Sequence, residues 1–362
     1  MERVQYLLLR VLWRENHAGD LDPHRYGLSD FLEEAKEKLQ DYNGWKEYYR
    51  HTHLPDQETI PNLMTFSTPR FYQLLIKRSI KDDDESIAGN EDVIFSPIQT
   101  RAQRRQAERA ASPTDQTTRQ MRALQLETPT KSKPTDTETD LFGEVSPVDT
   151  QPSIGISPIP REAEGALYPA TKDEQIVNMA LVLLLNALTI HLPLLNDWTP
   201  GRRKFTVTLG SRFFRAYTDG CLEDRKQDRV RALIEVKPYI RKNRVRMQEA
   251  AQMVGWISDE NQRPSGYPGR CFHISQNRQF VYIIFAEYDD NYIEYLKDGT
   301  VTDGSFLTMH EFGPWDVFDP RHMKEFGTIV LALTLRTHHD QQVEGQSRGS
   351  HSRGKPNKGI FD

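Results

Sequence analysis

Cysteine is scarce in this 362-residue chain, which contains only Cys221 and Cys271. The two lie far apart and in no metal-type spacing, so the sequence indicates neither a disulfide framework nor a zinc site. We therefore expect both thiols to be reduced, as they are in intracellular proteins.

Long hydrophobic runs are also lacking. The amino-terminal stretch MERVQYLLLRVLWREN carries charges within a short apolar segment, unlike a secretory signal peptide or a membrane-spanning helix. We therefore expect no membrane partner and an intracellular protein, nuclear or cytoplasmic rather than secreted. The hydrophobic fraction of 37% is low for a packed globule, which predicts that part of the chain lies outside the core.

Aromatic residues are almost absent between residues 82 and 165, where Pro, Ser, Thr and Gln are frequent. Such a composition cannot bury enough apolar surface to offset the entropy lost on ordering. Apolar periodicity before this stretch, including Val4 to Trp13, indicates helices. The sequence thus predicts four regions: a small helical region at 1–81, a disordered linker at 82–165, a folded domain at 166–340 and a disordered basic tail at 341–362.

The folded domain shows alternating helical and strand patterns. Thr171, with Glu174 three residues on, predicts a capping box opening a buried helix, and Asp319 with Pro320 predicts the start of a last helix. Further expected elements follow from periodicity: strands at 204–211, 212–220 and 230–237, a charged loop at 221–229, a helix at 244–259, and strands at 272–276, 280–288 and 292–296. The predicted fold class is α/β (α+β), a mixed sheet flanked by helices.

The charge distribution is uneven along the chain. The formal net charge is -5, yet residues 201 to 246 contain fourteen Lys and Arg against five acids, a local excess of +9. A positive zone on an acidic protein fits a polyanionic partner such as nucleic acid. A solvated, charge-rich surface remains an open alternative.

Three charged residues near this zone form a candidate site. Strand alternation places Glu235 and Lys237 on one face of the segment VRALIEVK, while Asp219 ends the preceding predicted strand. If the two strands pair as a hairpin, two carboxylates share a neighbourhood that suits Mg²⁺, and the lysine can hold an attacking water. Simpler interpretations exist, because Asp-Gly often marks a turn and exposed strands often carry cross-strand charge pairs.

A helix with an acid, a strand ending in Asp, a strand with E-x-K and a helix with Gln follow one another over residues 171 to 260. This order resembles the PD-(D/E)XK nuclease superfamily and its restriction-endonuclease-like fold. The resemblance implies that Asp219 and Glu235 bind the metal together with the Val236 carbonyl, and that Lys237 is the catalytic base or positions water. It also implies that Glu174 is the acid of the first helix. Gln248 is its expected motif glutamine, with Gln252 four residues further on the same helix face.

The sequence therefore predicts a nuclease dependent on Mg²⁺ or Mn²⁺ that hydrolyses phosphodiester bonds of DNA, or less favourably of RNA. One alternative is a catalytically inactive nuclease-fold module that binds nucleic acid or protein. A scaffolding protein whose basic strip docks acidic partners is another.

Overall fold

A mixed seven-stranded sheet lies at the centre of the fold, in the strand order β1-β10-β9-β8-β7-β6-β3. β1 pairs with β10 and β7 with β8 in parallel, while the other neighbours are antiparallel. The strands of this sheet are β1 Val11–Asn16, β3 Asn196–Thr199, β6 Gly220–Asp224, β7 Val230–Lys237, β8 Cys271–Asn277, β9 Phe280–Glu287 and β10 Leu307–Asp316.

A second, three-stranded antiparallel sheet has the order β2-β5-β4. Its strands are β2 Val93–Phe95, β4 Lys204–Leu209 and β5 Arg212–Tyr217. The helices of the described residues are α1 Ser29–Asp41, α2 Asn43–His51, α3 Ser67–Arg78, α4 Glu174–Thr189, α5 Asn243–Ser258, α6 Asp290–Asp298 and α7 Pro320–Ser352.

This computed structural model describes residues 6–53, 60–80, 93–95, 168–210 and 212–352. The predicted linker at 82–165, apart from β2, and residues 353–362 of the predicted tail lie outside the described residues. Within the described part, no helix is long and apolar enough to cross a membrane. The predicted mixed α/β fold with helices flanking a mixed sheet is confirmed, whereas its restriction-endonuclease-like type stays a prediction.

The central sheet buries a separate apolar cluster on each face. Ile234 and Val236 belong to the cluster that also contains α4 and α7, and Leu233 belongs to the cluster that contains α5. Glu235 and Lys237 share the face of Leu233 because side chains alternate along a strand. α4 is apolar on most sides since it packs both on the sheet and on α3.

The predicted hairpin between residues 212–220 and 230–237 is wrong. β5 pairs with β4 in the small sheet, and β7 pairs instead with β6, which occupies the first half of the predicted charged loop. The segment Gly220–Asp224 forms a strand because Cys221 and Leu222 are fully buried while the charged Glu223 is partly exposed beside Arg203. Asp219 therefore immediately precedes β6 rather than ending β5.

Three further expectations fail at the level of single elements. Part of the helix expected at Val4 to Trp13 is strand β1, held by parallel pairing to β10. The strand expected at 292–296 is helix α6, because Asp289 caps it by accepting a hydrogen bond from the Tyr292 amide. The loose tail expected from residue 341 is helical to Ser352.

The predicted capping box at the start of α4 is also wrong. Asp173 is the N-cap, and its Oδ1 accepts a hydrogen bond of 2.8 Å from the Gln175 amide. Thr171 instead is buried, and its hydroxyl donates to the carbonyl of Ile76. Since Asp173 supplies the cap, the Glu174 carboxylate is available for another contact.

Candidate active site

The charged residues selected from the sequence come together at the carboxyl end of β7. Glu235 and Lys237 lie on β7, Asp219 immediately precedes β6, and Glu174 is the first residue of α4. Because β6 pairs directly with β7, the pairing that differs from the predicted hairpin still brings Asp219 beside Glu235.

Asp219 is fixed by the backbone of β7. Its amide donates to the Ile234 carbonyl at 3.0 Å, and its Oδ2 accepts from the Val236 amide at 3.0 Å. Asn178 of α4 donates to the Asp219 carbonyl, and an Arg202 guanidinium nitrogen lies 3.5 Å from its Oδ1. These contacts hold the carboxylate in one position. The role of the Val236 carbonyl as a metal ligand stays a prediction.

Lys237 joins two acids from different elements. Its Nζ lies 2.7 Å from Glu235 Oε1 and 3.2 Å from Glu174 Oε2. The side chains of Glu235 and Lys237 are 0% and 6% exposed, whereas that of Glu174 is 33% exposed. The cluster is therefore dry at its centre and reaches solvent on the Glu174 side.

Gln252 is the glutamine of α5 that contacts this cluster. Its Nε2 donates to Glu235 Oε2 at 2.6 Å and to the Tyr217 carbonyl at 2.6 Å. Gln248 lies one turn earlier and is only half-buried. Both glutamines share a helix face, so the sequence pattern could not choose between them, and the packing of α5 on the sheet decides which one contacts Glu235.

Burial sets the protonation behaviour of the cluster. It raises the pKa of Glu235 well above the ordinary glutamate value, and the Asp219 carboxylate raises it further while Lys237 opposes both. Burial lowers the pKa of Lys237, but the carboxylates of Glu235, Asp219 and Glu174 outweigh burial and raise it. Three acids thus compete for a single buried ammonium, and additional positive charge would stabilise the cluster.

Several buried oxygens around the cluster lack hydrogen-bond donors. Glu235 Oε1 accepts no well-aligned hydrogen bond despite its ionic contact with Lys237, and the amide oxygens of Gln252 and Asn178 also lack donors. Oxygen atoms with unused lone pairs are the ligands that Mg²⁺ and Mn²⁺ prefer. The residues present therefore fit a hard divalent cation.

No group of three or more His, Cys, Asp or Glu side chains with the arrangement of a metal site is found in the parts of the chain that the structure describes. The set at β7 offers two carboxylates and backbone oxygen. Mg²⁺ commonly keeps several waters and uses only one or two protein carboxylates, so this set is compatible with it.

A second buried charge network on the same sheet face was not predicted. Arg241 Nη1 donates to Glu249 Oε1 at 2.8 Å, and its Nε donates to Glu311 Oε2 at 2.8 Å. Arg246 also pairs with Glu311, at 2.9 Å. Glu249 is fully buried. No local pattern identifies this network, because its partners come from α5 and from β10, far apart in the chain.

Comparison of the chain with family models, with curated proteins and with solved structures finds no match.

Proposed function

We propose that this protein is a metal-dependent nuclease that hydrolyses phosphodiester bonds of DNA at the Asp219, Glu235 and Lys237 cluster. One observation carries the proposal. One carboxylate just before β6 and one on β7 converge with the β7 lysine in a buried cluster, where several oxygen acceptors lack a hydrogen-bond donor among the described residues.

The charge balance of the cluster favours a bound cation. Glu235, Asp219 and Glu174 supply three carboxylates, while Lys237 supplies the one buried ammonium and Arg202 is 47% exposed. Two carboxylates in a site of low dielectric repel each other unless a counter-charge lies between them. A divalent metal bound to Asp219 and Glu235 would remove this repulsion.

Each residue then has a chemical task. Asp219, Glu235 and the Val236 carbonyl would bind Mg²⁺ or Mn²⁺, which lowers the pKa of bound water and offsets charge on the phosphate. Lys237 would hold the attacking water and stabilise negative charge that develops in the transition state. Gln252, bonded to the second Glu235 oxygen, would keep that carboxylate oriented.

The substrate would approach from the side of Glu174 and Arg202, the two exposed members of the cluster. The small sheet also carries exposed cations, namely Lys204, Arg212 and Arg215. Such a surface suits a sugar-phosphate chain. The preference for DNA over RNA rests on the superfamily resemblance alone.

A second candidate is a nuclease-fold module that binds nucleic acid without cleaving it. It is favoured by the complete burial of Glu235 and by its direct ion pair with Lys237, since a metal could bind only if this contact rearranged.

Substitutions of similar size test the proposal. Asp219→Asn, Glu235→Gln and Lys237→Met should each lower the rate of cleavage of single- and double-stranded DNA in Mg²⁺ or Mn²⁺ by at least about 100-fold. Glu33→Gln, at a side chain 73% exposed on α1, is the matched control and should cleave like the wild type. Thermal unfolding of every variant checks that the fold is retained. If the wild type cleaves neither substrate, the inactive module replaces the nuclease.

A further inference from the structure

A cavity of about 850 Å³ opens beside the candidate site. β1, β7, β8 and β10 run in the same direction, so their carboxyl ends meet at one edge of the sheet. The cavity lies at this edge, and its walls come from the end of β1, the segment after β7, the first turn of α5, β9 and the bulge of β10. Ligands of open α/β sheets commonly bind outside the carboxyl ends of the strands.

The cavity is close to the cluster on β7. Glu235 is paired with Ser275, and Ser275 with Tyr282, so these three side chains form one row across the sheet. Tyr282, which lines the cavity, is therefore two strand spacings from Glu235, roughly 10 Å. Arg241 connects the two sites, because its Nη1 donates to Ser275 Oγ at 3.2 Å and to Asn277 Oδ1 at 2.8 Å.

The charges that line the cavity are predominantly positive, with four cationic and two acidic side chains. Both acids are already paired: Glu311 with Arg241 and Arg246, and Glu15 with Arg246 at 2.8 Å. Lys242 and Arg244 add exposed positive charge at the mouth. The ion pairs with Glu249, Glu311 and Glu15 neutralise the two inner guanidinium groups, so the exposed positive charge of the cavity is that of Lys242 and Arg244.

The amino terminus of α5 lies in the same wall. Its N-cap is Lys242, and no side chain caps the helix. Within the described part of the chain, the N-cap side chain accepts no hydrogen bond from the first-turn amides, of which that of Val245 donates to the Lys242 carbonyl. These amides add the positive end of the helix dipole to the cavity. A phosphate at this position would accept hydrogen bonds from these amides.

Tyr282 gives an independent indication of a ligand. The side chain is only 9% exposed and lines the cavity. Its hydroxyl makes no observed hydrogen bond within the described part of the chain and is not among the fully enclosed atoms without a partner, so it is open to the cavity. The Arg241 guanidinium lies 4.6 Å from the centre of its ring. Burial raises the pKa of Tyr282 above its ordinary value, so the hydroxyl keeps its proton and can donate it. A nearly buried hydroxyl that makes no hydrogen bond destabilises the fold unless a ligand or water accepts a hydrogen bond from it.

We propose that this cavity binds a phosphate group of the nucleic-acid strand, next to the phosphate held at the β7 cluster. The inference rests on the proposed function for the identity of the strand. Tyr282 and the first-turn amides of α5 would donate to phosphate oxygens, while Lys242 and Arg244 would supply charge attraction. Occupation of both sites by one strand would set the position of the scissile bond relative to the cavity.

Binding without cleavage tests this proposal. Fluorescence anisotropy of a labelled single-stranded DNA oligonucleotide is measured with the full chain in EDTA, once with a 5′-phosphate and once without, and inorganic phosphate is the competitor. Tyr282→Phe, which removes only the hydroxyl, should weaken binding about 3- to 10-fold. The double variant Lys242→Glu with Arg244→Glu should weaken it at least about 10-fold and reduce its salt dependence.

Arg321→Glu is the matched control, because that side chain is 91% exposed outside the cavity, and it should bind within about twofold of the wild type. If Tyr282→Phe weakens binding of the 5′-phosphorylated probe more than that of the unphosphorylated probe, the cavity binds the terminal phosphate of a strand. If it weakens both equally, the cavity binds an internal phosphate. The proposal is overturned if the Tyr282 and Lys242/Arg244 variants bind both probes like the wild type. Since no metal is present, this outcome is independent of whether the protein cleaves DNA.

Discussion

The contacts of Lys237 explain why Glu235 and Lys237, an acid and a base, lie two residues apart in the otherwise apolar strand β7. Alternation sends both side chains to the face of α5, where Glu235 is fully buried and Lys237 bridges to Glu174 on α4. A buried ion pair is rarely retained for stability alone, because desolvation offsets most of the Coulomb energy. Its position beside a third acid, Asp219, is the reason to assign it a chemical role.

His273 is a buried polar side chain outside the candidate site. It lies on β8, between Leu233 and Ile284 in the sheet, and is fully buried. Burial, with a smaller contribution from Arg241, lowers its pKa to about 3. Among the described residues, no metal-binding group includes this histidine.

The His273 pKa predicts a pH dependence of stability. A folded-state pKa below the unfolded value of about 6.5 means that the unfolded chain takes up the proton first as the pH falls. The residue should therefore lower the free energy of unfolding by about 2 kcal/mol between pH 7 and pH 5. Denaturant titrations of His273→Leu at several pH values should show that this contribution to the pH dependence of the free energy of unfolding is gone. His24→Leu, at an exposed position, should keep it. If the free energy of unfolding depends on pH equally in the wild type and in both variants, the lowered pKa of His273 is contradicted.

At the scale of elements, the short strand β6 positions Asp219. β6 is enclosed between β3 and β7, and Gly220 at its start has no room for a side chain. A Cβ built on Gly220 would lie 2.6 Å from the Thr199 carbonyl oxygen of β3. Because that oxygen is backbone, the clash cannot be relieved by a rotamer change.

Gly220→Ala should therefore move β6 away from β3 and displace Asp219. We expect a loss of about 1–3 kcal/mol in the free energy of unfolding, with weaker metal-dependent cleavage. Gly19→Ala is a suitable control, since no atom lies within 4 Å of its built Cβ. Chemical denaturation and cleavage assays measure both effects. Wild-type stability and activity in Gly220→Ala would show that β6 does not determine the geometry of the site.

The sequence was most informative where periodicity is long and uniform. α4, α5, β7 and the start of α7 all lie where apolar patterns predicted them. It failed for β6, since a strand of five residues with charges at one end resembles a loop. It also failed for α6, because aromatic residues in YIEYL favour strand by propensity whereas the Asp289 cap and the packing of Tyr292 favour helix.

The candidate site was predictable in part for a related reason. Glu235 and Lys237 are local in sequence, so alternation alone places them together. Asp219 was selected with the wrong strand pairing, yet it reaches the site because β6 follows it directly. The choice of Gln252 over Gln248 depends on how α5 sits on the sheet, which no local pattern encodes.

At the scale of the whole molecule, the basic segment 201 to 246 is partly neutralised by acids from outside it. Arg229 and Arg231 pair with Glu344 on α7, and Arg225 pairs with Asp197 on β3. A count along the chain therefore overstates the positive surface. The cations of this segment that stay exposed without an acid partner in the observed ion pairs are fewer: Lys204, Arg212, Arg215, Lys226 and Lys242.

The candidate site is likewise a product of the whole molecule, since α4, β6, β7 and α5 each contribute one side of it. The raised pKa of Glu235 then has a consequence for metal binding. Metal binding favours the ionised form of Glu235, whose pKa burial and Asp219 raise, so metal affinity should increase as the pH rises.

The most direct measurement is a calorimetric titration of the full chain with Mn²⁺ at pH 6 and at pH 8. The account predicts saturable binding that is tighter at pH 8, and at least about tenfold weaker binding in both Asp219→Asn and Glu235→Gln. Glu33→Gln should bind like the wild type. Absence of binding at pH 8, or binding that neither carboxylate substitution changes, would contradict the claim that these two residues hold a metal.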